Sequence, residues 1–185
     1  FIDAYDPSLS WYRFRSPHQV ATVIEEASRR GHRHTARRAS ELSRSGVEVW
    51  GDQPEHGGWI GDLLLRGGRP SEALDHWCAN LDFHLARGEY ALAIPLVERA
   101  DRLIASGFEP AARPRWILER GRARIALKLG HWGAARASID QCLVDMEAMG
   151  EFESLAELLI LRAETEIRNG EFEAADRSLS RANRF

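Results

Sequence analysis

The chain has 185 residues, 44% of them hydrophobic and 29% charged, with a net charge of −3 at neutral pH. That is enough apolar material for a core that needs no disulfide or metal, and Cys78 and Cys142, with no CxxC, exclude a disulfide framework and a zinc knuckle. No apolar run approaches the roughly 20 residues that span a bilayer, and no signal peptide opens the chain, so a soluble cytoplasmic protein is expected.

Residues 1–15 carry five aromatics and no helical period, which predicts an extended lead-in. Ser16-Pro17-His18-Gln19 is a helix start: serine can cap, proline lacks only an N–H that would be unpaired anyway, and glutamine can bond back to the cap. Val20, Val23, Ile24 and Ala27 form its apolar face, Gly31 stops it, and a second helix follows to Gly46. Between Gly46 and Gly68 the pattern loosens into turns, with a strand conceivable only over Val47–Trp50 and a short helix over Trp59–Arg66, where Leu63, Leu64 and Leu65 suggest burial on several sides. Residues 16–70 are thus an irregular, basic helical region.

From residue 71 onward the period is regular. Three helix hairpins are expected, over 71–106, 113–149 and 152–184. Their inward positions include Leu74, Trp77, Leu81 and Leu85, then Ile117, Ala123 and Leu129, then Ile139, Cys142, Leu143 and Met146, then Leu155, Leu158, Leu159 and Ile167. Pro95 lies too deep in its helix for a first-turn proline and predicts a kink, or a restart near Ala93. The chain reads as all-α. A glycine followed five residues later by alanine recurs at Gly68, Gly88, Gly130 and Gly170, and the last two glycines are 40 residues apart. A helix, a tight turn and a second helix at such an interval is the pattern of a helical solenoid. The 20 residues between Gly68 and Gly88 leave room for one helix only and break the register.

These residues resemble tetratricopeptide repeats. That family sets a small residue seven before the turn glycine, alanine five after, a large apolar residue nine after and alanine twelve after. Ala163, Ala175, Leu179 and Ala182 match around Gly170; Ala123, Ala135 and Ile139 match around Gly130, with the small Cys142 in place of the last alanine; and Ala93, Val97 and Ala100 match around Gly88, where Leu81 breaks the first position. The resemblance covers 71–185 and implies antiparallel hairpins stacked in a right-handed superhelix. Its repeats are longer than usual, as in sensor regions of bacterial signalling ATPases and transcription activators. It implies further that first helices line a concave groove, exposing the positions ten, six and two before each turn glycine. Those are Arg120, Arg124 and Lys128; Ile160, Glu164 and Arg168; and Cys78, Asp82 and Ala86. The three cations at i, i+4 and i+8 share one stripe and suit a carboxylate or an acidic peptide segment. The asparagines of the family's clamp for peptide C-termini are absent.

Charge is bipolar. Residues 11–46 carry eight arginines against three glutamates, +5, whereas the stretch from Asp140 onward is −6. Arg29, Arg30, Arg33, Arg37 and Arg38 form a possible docking surface for an acidic neighbour. Nucleic acid is disfavoured, because lysine and interleaved aromatics are missing there. No zinc-protease, phosphate-loop or nucleophile-elbow motif occurs. His76 and His84 lie about 12 Å apart along one helix at a rise of about 1.5 Å per residue, too far to share a metal, and His32, His34 and His56 lie in the irregular half. The expectation is a protein-binding scaffold without enzymatic activity, cofactor or metal. The alternative is a ligand-sensing regulatory domain attached to an ATPase or transcription regulator. The missing initial methionine points to a fragment of a longer protein, and Phe172, Leu179 and Phe185 on the last helix suggest self-association through the terminal repeat.

Overall fold

The computed structural model describes Arg44, Val47, Glu48 and residues 53–149 and 152–185. The lead-in over 1–15, the first expected hairpin and Arg29, Arg30, Arg33, Arg37 and Arg38 lie outside the described residues. Seven α-helices and one short 3-10 turn, Pro54–His56, lie wholly within the described residues, which hold no strand. Val47 and Glu48 are themselves helical, which removes the strand conceivable there. The helices are α1 (Gly57–Arg66), α2 (Pro70–Ala86), α3 (Tyr90–Ala105), α4 (Ala112–Lys128), α5 (Trp132–Met149), α6 (Phe152–Arg168) and α7 (Phe172–Ala182). The outer bounds of the three expected hairpins fall within two residues of those of α2–α3, α4–α5 and α6–α7.

The recurring glycine owes its position to one local geometry. Gly68, Gly88, Gly130 and Gly170 all adopt φ between 72° and 79°, a left-handed conformation that costs a residue without Cβ nothing. In each turn the N–H after the glycine reaches back to a helical carbonyl, of Leu64, His84, Ala126 or Glu166, at 2.8–2.9 Å. This 6→1 bond satisfies an end carbonyl that the helix cannot. Five residues past the glycine, Ala73, Ala93, Ala135 and Ala175 are all buried. Each donates its N–H to the residue just after the glycine, closing the first turn of the next helix.

The chain divides into two compact units, Phe1–Asn80 and Leu81–Phe185, with the division inside α2. In the first unit, α1 runs antiparallel to the start of α2 with almost no space between backbones. A Cβ on Gly57 would lie 2.3 Å from the carbonyl oxygen of His76, and one on Gly61 would lie 2.4 Å from Trp77 Nε1. Two glycines four apart place one bare stripe on α1. Against it sits Trp77, whose indole N–H donates to the carbonyl of Gly58 at 3.1 Å, while Asn80 Nδ2 donates to the carbonyl of Pro54 at 2.7 Å. Ile60, Leu64 and Ala73 complete this core. Leu63 and Leu64 are buried and Leu65 is exposed, so α1 is covered on two of the three sides its leucines suggest.

In the second unit consecutive helices from α3 to α7 pack on one another, and α4 also touches α6. The principal core joins Ala123, Ile139, Cys142, Met146, Leu158 and Leu159. Both cysteines are buried free thiols. Helix α3 runs unbroken through Pro95 and does not restart near Ala93. Burial of Ala93, Leu96, Val97, Ala100 and Leu103 along one side holds it together across the missing N–H. Two residues expected inside, Leu129 and Ile167, are exposed. Ile167 lies in the last turn of α6 and Leu129 is the C-cap residue of α4, each within three residues of its turn glycine.

Candidate functional site

The cationic stripe on α4 is real as geometry, but its three members are in different situations. Arg120 is the most buried, with only 11% of its side chain exposed. One guanidinium nitrogen donates to Asp82 on α2 at 2.7 Å and the other to Glu157 on α6, and the plane stacks over Trp116 at 4.5 Å. A planar fork serves two carboxylates at once where a lysine would not. Arg120 is therefore not an exposed binding cation, as the spacing alone suggested. It ties α2, α4 and α6 together, and Asp82 is half of that tie rather than a separate contact.

The partners follow a fixed offset. Asp82 precedes Arg120 by 38 residues, and the same offset from Lys128 gives Tyr90, whose ring lies 5.6 Å from the Lys128 ammonium. From Arg124 that offset gives Ala86, and the offset that brings Glu157 to Arg120 gives Leu161. Neither carries charge. Half-buried Arg124 accordingly makes no ion pair or hydrogen bond with any described residue. On α6, Glu164 and Arg168 are exposed and pair with each other at 3.7 Å, beside an exposed Ile160. Cys78, expected on the exposed face, is buried.

Gly121 is the residue that sequence reasoning missed. A Cβ there would lie 2.7 Å from Leu81 Cδ2, so α4 rests directly on α2 next to Arg120 and Asp82. The signal was a glycine inside a helix, a costly choice unless two backbones must approach. Gly121→Val is expected to destabilise the fold by about 1–3 kcal/mol through overpacking. Gly121→Ala should cost less, because the Leu81 methyl is the end of a flexible side chain. Urea denaturation of both variants checks the order.

Two further arrangements occupy positions that correspond when counted from the turn glycines. Between α5, α6 and α7 a polar network runs from partly exposed Arg136, Asp140, Arg162 and Glu171 to buried Glu166 and Ser178. Arg136 binds Glu171 with two bonds of 2.7 and 2.8 Å and lies 3.9 Å from Asp140. Arg162 lies 3.4 Å from Asp140 and donates to the buried Glu166 at 3.0 Å, and Glu166 also accepts from Ser178 at 2.7 Å. Hydrogen bonding to Glu171 holds the Arg136 pKa above its usual value. Between α3 and α4 the space is instead an open groove of about 180 Å³, with Ile94, Val97, Ile125, Ala126 and Leu129 in its lining. Glu98, Arg122 and His131 also border it.

Among the described residues no three His, Cys, Asp or Glu side chains are grouped to hold a metal, and His32 and His34 lie outside those residues. His84 Nδ1 lies 2.8 Å from Glu89, and hydrogen bonds from His84 and Arg87 hold the Glu89 carboxyl below its usual range. Burial pushes the His76 imidazole below its ordinary value, against the opposing fields of Asp75 and Glu72. Phe172, Leu179 and Phe185 are all exposed at the last helix. No family model matches the chain, and no curated protein or solved structure matches it either.

Proposed function

We propose that the chain is a protein-interaction module of the tetratricopeptide type, whose hairpins stack as a solenoid and hold an acidic peptide segment along the face made by α2, α4 and α6. The observation that carries this reading is Arg124, a half-buried guanidinium with no carboxylate partner among the described residues, next to an arginine that has two. Arg120 would keep the face in shape, so a bound segment would meet a preformed surface and lose less entropy in binding. Arg124 would supply the bidentate contact. Lys128 would add a second cation one turn further on, and the Glu164–Arg168 pair would border the site. A ligand-sensing role is the second reading, but the α3–α4 groove, at about 180 Å³, falls below the roughly 300–1,000 Å³ usual for small-molecule pockets.

Selection from a random peptide display library tests the proposal. Sequences rich in Asp and Glu should be enriched on the full chain and lost on Arg124→Glu, at unchanged helical content by circular dichroism. No enrichment, or equal enrichment on the variant, would refute the assignment.

A further inference from the structure

The groove and the polar network occupy the same place in consecutive repeats, as counting from the turn glycines shows. Ile94 and Glu98 stand six and ten residues after Gly88, as Arg136 and Asp140 stand after Gly130. Arg122, Ala126 and His131 stand to Gly130 as Arg162, Glu166 and Glu171 stand to Gly170. One position holds an acid in both repeats and another an arginine in both. The remaining three have lost their charged side chains, or in the case of His131 exchanged a carboxylate for an imidazole.

The consequences can be followed atom by atom. In the later repeat Asp140 has two guanidinium neighbours, Arg136 and Arg162. In the earlier repeat Ile94 replaces the first, and the second, Arg122, is drawn away to Asp101 and Glu119. Glu98 is left exposed, with no ion pair or hydrogen bond to any described residue. Where Glu166 fills the interior in the later repeat, Ala126 leaves space. The result is an apolar slot with an uncompensated carboxylate at its edge, in a position where the same fold elsewhere places a cation.

We infer that this groove is a second docking site, distinct from the Arg124 face, for a partner peptide that inserts one large apolar side chain and sets an adjacent Arg or Lys against Glu98. The size fits: a cavity of about 150 Å³ holds a benzene ring, so about 180 Å³ accepts a single aromatic or branched aliphatic side chain. The charge fits as well, because a cation at Glu98 restores the pairing that Arg136 gives Asp140. An open slot of this size favours a side chain carried on a peptide over a free small molecule, which needs more enclosure.

The test is NMR titration of the isotopically labelled 185-residue chain with acetyl-Trp-Arg-amide and acetyl-Trp-Glu-amide. Amide shifts should move at Val97, Ala126 and His131 with both peptides, and the arginine peptide should bind up to about fivefold more tightly at low salt, the range of an exposed ion pair. Glu98→Gln should bring that ratio close to one, and Glu98→Lys should invert it. Ile94→Arg, which installs the later repeat's arginine, should close the slot and abolish both titrations, and Ala126→Leu should do so by filling it. Absence of shifts at millimolar peptide, shifts confined to other residues, an arginine preference undiminished in Glu98→Gln, or binding undiminished in both groove-filling variants would overturn the inference.

Discussion

Trp77→Ala is expected to lower the free energy of unfolding by about 3–5 kcal/mol, as removal of a buried aromatic does. The side chain is 1% exposed and packs against Gly61, which has no Cβ to swell into the space left behind. Its indole N–H also donates to the carbonyl of Gly58, a buried hydrogen bond that the alanine variant loses. Against a typical total of about 5–15 kcal/mol, such a loss removes a large part of the stability. Trp77→Phe should fall between wild type and Trp77→Ala, because it keeps most of the ring and loses the bond. Chemical denaturation followed by circular dichroism measures both. A loss below about 1 kcal/mol for the alanine variant would mean that α1 is not packed on α2 as described.

Ile139→Ala should cost about 2–5 kcal/mol, while Leu179→Ala should cost about 1 kcal/mol or less. The comparison is informative because both residues stand nine positions after a turn glycine and have the same role in the repeat pattern. Ile139 is completely buried, enclosed with Met146, Leu158 and Leu159, whereas Leu179 is 44% exposed on the last helix. Position after the turn glycine selects an apolar residue, and the neighbouring helix decides what that residue contributes. Equal effects at the two sites would contradict the packing of α5 against α6.

The same distinction explains what could be read in advance. Turns were legible because the left-handed glycine, the 6→1 bond and the buried alanine all lie within a few residues, and each requirement leaves a mark at a fixed spacing. Helix boundaries followed from the turns. The stripe of Arg120, Arg124 and Lys128 was legible as a stripe, since helical periodicity alone places i, i+4 and i+8 together. Its division into a tie, an unpaired cation and a ring contact was not, because Asp82, Glu157 and Tyr90 come from other helices. The register between helices depends on how closely they approach, and here Gly121 sets that approach. Leu129 and Ile167 show the converse limit: they keep the apolar identity of their stripe but stand at helix ends, where both are exposed. The groove at Ile94 and Glu98 became visible only by comparing repeats position by position once the polar network was known.

Charge exchange at Arg124 tests the central claim most directly. Isothermal titration of the wild type and Arg124→Glu with a matched pair of peptides, identical except that each Glu in one is Lys in the other, should show the acidic peptide preferred by the wild type and the basic peptide by the variant. Both preferences should shrink as salt is raised. An unchanged preference for the acidic peptide in the variant, or no discrimination by the wild type at low salt, would contradict the account.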